Sequence, residues 1–285
     1  MQDHFFTPVE INLDDYVQSG DGYTAVSYNN KDGKTMIKLY YEFIPEHVPE
    51  MELRVAKAVY DMGIPSPEPL RIVKCGKKYG TEFQRISPKK SFARAISEDE
   101  SLLEELAERF ARHCLKLHST PCSTDGLFPS AADKVRKRVA DSKLLTDAEK
   151  AKVNAFIDSV PEVHTCLHGD LHIGNIITTG KEDYWIDLAD FSYGHPNYDL
   201  GLFYIICNCN PDDITTRLFH IGNDKMAKVW NAFERVYFAG SGMTSEKIRE
   251  MLLPFGGLVY VHFSNMDGVI ADFMHAVMDP YLLQK

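Results

Sequence analysis

The chain has 285 residues, 44% of them hydrophobic, 11% aromatic and 25% charged, which describes a soluble globular protein with enough apolar residues for a sizeable core and two lobes. Its 31 Lys+Arg against 41 Asp+Glu give a formal charge of −10. Without a Lys/Arg run, such a chain is poorly suited to wrapping nucleic acid or lying on an anionic membrane.

No apolar stretch reaches the roughly 18 residues that a membrane span needs. The first residues, MQDHFFTPVE, carry neither the basic nor the apolar region of a signal peptide. Six scattered cysteines are too sparse for a disulfide framework. The expectation is a cytoplasmic protein with free thiols.

In chain order, residues 18–28 place Gly20 and Gly22 in a turn beside a β-rich run. The Asp32-Gly33 step predicts a hairpin. It leads into a strand over 34–40, KTMIKLY, in which Ile37 and Leu39 bracket Lys38. From about Pro49, Met51, Val55, Ala58, Val59 and Met62 recur on one helical stripe that Gly63 stops. Pro65, Pro67 and Pro69 then impose an extended connector, and 79–86 read as another strand.

From Glu98 the pattern turns helical. Leu102, Leu103, Leu106, Phe110 and Leu117 mark a long amphipathic helix ending near His118. Further helices are predicted over 131–144, 148–158, 226–238 and 245–251, and again in the last 30 residues. Residues 165–198 are the β-rich exception: loop, short strand, turn at Thr179-Gly180, short strand, loop.

That exception holds the densest chemistry, reading HGDLHIGN (168–175), IITTGKEDYWID (176–187) and LADFSYGHPNYDLG (188–201). Asp170 and Asn175 stand on one loop, and Asp187 closes the next short strand. A hairpin would bring Asn175 and Asp187 back together, an amide oxygen and a carboxylate on one hard cation, with Asp170 beside them to accept a proton. Mg²⁺ suits such a sparse oxygen set. Phosphoryl transfer calls for these parts together with a lysine on the phosphates.

On these residues the chain resembles the aminoglycoside phosphotransferase and choline kinase superfamily, small-molecule relatives of protein kinases, with its HGDLHxGN…IDxxD…DL pattern. The resemblance implies an α+β, bilobal protein-kinase-like fold. A strand-rich N-lobe with one helix would span 1–86, a mainly helical C-lobe 87–285, with nucleotide held between them. It implies a kinase that moves the γ-phosphoryl group of ATP or GTP to a hydroxyl of a small molecule, with Mg²⁺ as cofactor.

By position, the resemblance makes Asp170 the catalytic base and Asn175 and Asp187 the metal ligands. Asp190 is the alternative to Asp187, which is preferred because it ends the apolar strand 184–186. Lys38 would meet the α- and β-phosphates, paired with Glu52, or with Glu50 as second choice. Gly20 and Gly22 would cover the nucleotide, and the backbone from Gln84 to Ile86 would meet the base. His168 would brace the loop and Asp199 would hold its backbone.

Several features depart from the family pattern. The glycine-rich loop is reduced to Gly20-Asp21-Gly22, which sets an acid beside phosphates. Gly169 stands where protein kinases carry an arginine, and only 11 residues separate Asp187 from Asp199, too few for a peptide-docking segment. Both features favour a small-molecule acceptor over a protein. Asp190, Asp212 and Asp213 suit an amine-bearing acceptor such as an aminoglycoside or amino alcohol. The alternatives are a nucleotide-binding pseudoenzyme or regulatory protein of the same fold, a protein kinase, and a metal-dependent hydrolase built on His164, His168 and His172. The expected partner is a small molecule, neither nucleic acid nor membrane, and oligomeric state is left open.

Overall fold

The computed structural model describes residues 3–22, 24–123 and 126–263. The chain divides into two compact units. The first takes residues up to Lys90 together with Ile176–Ala189; the second takes Ser91–Asn175 and the chain from Asp190 onward.

In the first unit the elements are α1 (Asp3–Phe6), β1 (Val9–Glu10), β2 (Tyr16–Asp21), β3 (Ala25–Asn30), β4 (Thr35–Tyr40), α2 (His47–Asp61), β5 (Pro69–Cys75) and β6 (Lys78–Gln84). Six strands form one sheet in the order β1-β5-β6-β4-β3-β2, antiparallel except for β1 beside β5. The β3–β4 hairpin forms because side chains supply the turn: Asn30 accepts the Asp32 N–H at 3.0 Å, and Asp32 accepts the Lys34 N–H at 2.8 Å. The register then sets Lys38 between Ser27 and Thr81, with Ile37 and Leu39 buried on either side.

Helix α2 buries Leu53, Val55, Ala56 and Val59, and Glu52 goes in with them. Strand β5 was not foreseen: the three prolines read as a connector, but Pro69 occupies the first position of a strand, where its missing N–H costs no ladder bond. The hairpin of β9 (Ile176–Thr178) and β10 (Asp183–Trp185) belongs to this unit although it lies far along the chain. The Trp185 N–H bonds to the Pro65 carbonyl at 2.8 Å. A two-residue strand, β7 (Lys90–Ser91), marks the junction of the units.

The second unit is mainly helical: α3 (Phe92–Glu98), α4 (Leu103–Ser119), α5 (Ala131–Asp141), α6 (Asp147–Ser159), α7 (Asn197–Asn208), α8 (Asp212–Phe219), α9 (Asn223–Tyr237) and α10 (Ser245–Phe263). Its only sheet among the described residues pairs β8 (Thr165–Leu167) with β11 (Ser192–Gly194), antiparallel. Helix α6 starts on a reciprocal Thr146–Glu149 capping box. The core is aromatic where α4, α7 and α9 meet, with ring centroids 5.0 Å apart for Phe110–Phe203 and 4.9 Å for Phe203–Phe233. Helices α7 and α10 touch backbone to backbone: a Cβ on Gly201 would lie 2.5 Å from the Phe255 Cβ, and one on Gly256 2.3 Å from the Ile205 Cγ2.

Helices α3, α7 and α8 add to the predicted set, and α10 runs past the predicted end at 251. Of the helix expected in the last 30 residues, positions 264–285 lie outside the described residues. No helix of the described residues is long and apolar enough to cross a membrane.

Candidate active site

The first unit contains a cavity of about 450 Å³ whose lining includes Gly20, Gly22, Lys38, Glu52, Gln84, Ile86 and Asp187. All the residues assigned to nucleotide from the sequence, together with one of the two assigned to metal, thus face one space. Lys38 is its centre. Its ammonium donates to Glu52 Oε1 at 2.7 Å and to Asp187 Oδ1 at 3.3 Å. Burial works to lower the Lys38 ammonium, but the two carboxylates, Glu52 first, carry it well above its ordinary value. Glu52, only 8% exposed, is held in turn by the Tyr40 and Thr81 hydroxyls, the latter at 3.2 Å. A buried carboxylate with three donors is a fixed anchor for the lysine. Glu50 is excluded as the lysine's partner, because it pairs with Arg54 on its own helix at 2.6 Å.

Asp187 lies two residues past the end of β10, whose last pair is Trp185 with Ile176, the residue bonded to Asn175. Its backbone turns into the left-handed region at φ 60°, which Asp tolerates better than most residues. Its carboxylate is 58% exposed, and Oδ1 takes the lysine bond. The acid in the reduced glycine loop is also occupied: the Tyr41 hydroxyl donates to Asp21 Oδ1 at 2.6 Å. Lys89 lines the same cavity, and burial, with Arg85 nearby, lowers its ammonium.

The HGDLHIGN loop lies in the second unit. The Asp199 carboxylate, 2% exposed on α7, accepts the His168 N–H at 2.7 Å and the Gly169 N–H at 2.8 Å. His118 of α4 approaches the same carboxylate at 3.2 Å from Nε2 and reaches the Tyr237 hydroxyl at 2.7 Å from Nδ1. Gly169 has φ +84°, and a Cβ there would stand 2.0 Å from the Asp190 carbonyl oxygen, so the position admits only glycine.

The loop presents Asp170. Asn175 Nδ2 donates both to the Asp170 carbonyl and to its Oδ2, each at 3.0 Å. The Gly174 N–H donates to His172 Nδ1 at 3.0 Å, so the proton of a neutral His172 sits on Nε2, which faces Asp170 Oδ2 at 3.5 Å. Burial pushes the Asp170 carboxyl up, but His172, His168 and the Asn175 amide outweigh it and hold it down at about 2.

Asp170 opens on a second cavity, of about 300 Å³, walled by α5, α7 and α10. Asp190 lines it too, bonded to Lys134 at 2.7 Å. Asp212 is not there: it accepts the Asn223 N–H at the start of α9, at 2.7 Å, and Asp213 is exposed on α8. The histidines expected as a possible metal cluster go to separate tasks. His164 pairs with Glu162 at 2.8 Å, His168 is fully buried and His172 faces Asp170. Among the described residues no three His, Cys, Asp or Glu side chains converge to hold a metal.

Tyr40, Thr81, His118 and Lys134 were missed in the sequence. The first two could have been read from strand register, since Tyr40 shares a face with Lys38 and Thr81 pairs with it. No local signal marks the other two.

A family model described as the phosphotransferase enzyme family matches residues 44–227. No curated protein sequence matches the chain. Among solved structures, the ADP-bound aminoglycoside phosphotransferase APH(2'')-Ib is similar at 17% identity and TM-score 0.57, over 94% of this chain and 90% of that one. A choline/ethanolamine kinase family protein from Mesorhizobium loti is similar at 14% identity and TM-score 0.56, over 93% and 88%. Aminoglycoside phosphotransferase APH(3'')-Id from Streptomyces rimosus is similar at 17% identity and TM-score 0.59, over 88% and 92%. At such identities the likeness establishes the fold, an α+β protein-kinase-like one.

Proposed function

We propose, because the chain belongs to the phosphotransferase enzyme family, that it moves the γ-phosphoryl group of ATP or GTP to a hydroxyl of a small molecule with Mg²⁺ as cofactor. Small-molecule kinase chemistry follows from the family; the donor, the metal, the residue roles and the acceptor are the proposal. The observation that supports it most is Lys38, held at 2.7 Å by a buried Glu52 in a cavity that Gly20, Gly22, Gln84 and Ile86 also line. A fixed cation in such a space is suited to the α- and β-phosphates. That a similar solved structure is ADP-bound favours an adenine nucleotide.

In the reaction, the acceptor oxygen attacks the γ-phosphorus in line. The bond to the bridging oxygen breaks, and the nucleoside diphosphate leaves with that electron pair. The hydroxyl proton passes to Asp170. A carboxylate held at about 2 is a weak base, so it chiefly orients the hydroxyl and takes the proton only as the new O–P bond acidifies it. That timing suits a loose transition state. Asn175, through its two bonds from Nδ2, keeps the Asp170 carboxylate in place.

Each unit offers a hard oxygen that suits Mg²⁺: in the second, Asn175 commits its amide nitrogen to Asp170, which leaves its carbonyl oxygen, and in the first the Asp187 carboxylate is exposed. When bound, Mg²⁺ offsets phosphate charge. Of the three acids that suit an amine-bearing acceptor, Asp190 is bonded to Lys134 and Asp212 to the Asn223 N–H, and Asp213 is exposed on α8. No disulfide joins the six cysteines among the described residues, in keeping with the cytoplasmic enzyme proposed here.

Thermal-shift titration with ATP and GTP, each with and without Mg²⁺, tests this reading without an acceptor. Nucleotide at 100 times its dissociation constant adds about 2.7 kcal/mol, a shift of about 5–10 °C. A Mg²⁺-dependent shift is the expected result. No shift with either nucleotide overturns the reading, and a shift without turnover of any acceptor returns the pseudoenzyme.

A further inference from the structure

The first-unit cavity holds a charge for which the reading above has no use. Its lining carries three acids, Asp21, Glu52 and Asp187, and two lysines, Lys38 and Lys89. Two of the acids close on Lys38, Glu52 at 2.7 Å and Asp187 at 3.3 Å, so these three side chains together are negative. The Lys38 ammonium can orient a phosphate through an N–H, but its group brings that phosphate no net positive charge.

The third acid is turned elsewhere. Gly20 pairs with Ser27 and Ser27 with Lys38, while Asp21 pairs with Val26 and Val26 with Leu39. Successive side chains of a strand point to opposite faces, so Asp21 belongs to the face away from Lys38 although the residue borders the cavity. Its Oδ1 accepts the Tyr41 hydroxyl at 2.6 Å, and Tyr41 is not part of the lining.

Lys89 is what remains. Among the described residues its ammonium has neither a hydrogen bond nor an ion pair. The residue as a whole is exposed, yet protein crowds its charged end: burial, then Arg85, lower the ammonium, and Asp187 works the other way. A crowded ammonium without a counter-charge is stabilised by an anion that arrives from outside. Lys89 follows three residues after Ile86, in the segment read as meeting the base, and it feels Asp187, the acid proposed for the metal. A nucleotide laid from Ile86 toward Asp187 carries its phosphate chain past this ammonium.

We propose that Lys89 is a second nucleotide-binding cation, which contacts the phosphate chain and supplies the positive charge that Lys38, held between two acids, does not. The proposal rests on the kinase reading above and adds a binding residue to it.

The test measures dissociation constants by isothermal titration calorimetry in Mg²⁺, on the full chain and on Lys89→Met and Lys89→Arg. The titrants are adenosine, AMP, ADP and ATP, and the guanine series alongside. Lys89→Met should weaken the nucleoside di- and triphosphates about tenfold or more, as loss of a charged hydrogen bond does, with the nucleoside nearly unchanged. Lys89→Arg keeps the charge and should stay near wild type. Because the contact is between charges, wild-type affinity for the diphosphate should also fall more steeply with salt than that of Lys89→Met.

A diphosphate bound as tightly by Lys89→Met as by wild type overturns the proposal. An equal loss for the nucleoside does so too, since the substitution then disturbs the cavity and not a phosphate contact. Wild type separates the two readings. If it binds the diphosphate and Lys89→Met matches it, only this residue is misassigned; if it binds no nucleotide of either series, the kinase reading fails and the proposal with it.

Discussion

Asp199 and Gly169 are joined by a 2.8 Å hydrogen bond from the loop N–H to a buried helix carboxylate, one residue before the candidate base. The same carboxylate takes the His168 N–H at 2.7 Å, so α7 holds the loop by its backbone. Asp199→Asn replaces one acceptor oxygen with a donor and strands a buried N–H. The expected loss is about 2–3 kcal/mol, read by urea denaturation, with transfer reduced and Mg²⁺-nucleotide binding retained.

Lys38→Met should weaken nucleotide binding and leave the Glu52 carboxylate buried with only the Tyr40 and Thr81 hydroxyls. Breaking a buried pair from one side costs on the order of 3 kcal/mol, and those hydroxyls keep this case near that figure. Combining Lys38→Met with Glu52→Gln should cost less than the sum of the single changes, since the second removes the charge that the first stranded. Urea denaturation of all four proteins measures the coupling; strict additivity would show that the two residues do not act as a pair.

Asp170→Asn should cut transfer about 10²–10⁴-fold and leave the nucleotide thermal shift in place. The carboxyl is held at about 2 against an ordinary 3.8, so its folded-state value is depressed. Its contribution to stability is present above about pH 4 and is lost as pH falls toward 2. The stability difference between wild type and variant should therefore shrink over that interval. A difference that stays constant down to pH 2 would refute the depressed value.

Gly169→Ala should be among the most damaging single-methyl additions in the chain. The new Cβ would stand 2.0 Å from the Asp190 carbonyl oxygen, at a φ of +84°. Overpacking and a left-handed backbone together cost about 2–4 kcal/mol. Thermal denaturation reads the loss, and a Tm equal to wild type would mean that the loop relaxes freely.

The local parts of the candidate site were legible in the sequence, and of their supports only those on the family pattern were, His168 and Asp199. Lys38 stood out because Ile37 and Leu39 frame it in a short strand, and Glu52 because the resemblance calls for an acid on the helix that follows. The HGDLHIGN loop is a contiguous string. Its anchors are remote: Asp199, which the resemblance alone assigned to the loop's backbone, lies 30 residues from Gly169 and 81 from His118, and spacing gives no sign of the His118 contact.

Helix α7 escaped notice because NYDLGLFYIICN is apolar nearly all round, so it shows no amphipathic period; α9 and α10 pack against it. Lys134 and Arg138 share α5 with Arg136 and Lys137, and nothing in the sequence separates these four cations. Only the folded helix shows which two line a cavity.

The first unit is assembled from two stretches of chain, residues up to Lys90 and Ile176–Ala189. A gene fragment ending at residue 90 would lack Trp185, whose N–H meets the Pro65 carbonyl, and Asp187, the second acid on Lys38. Neither unit is thus a cassette that recombination could lift out whole. The sheet and the distant hairpin are inherited together, and a change in one is exposed to selection through the other.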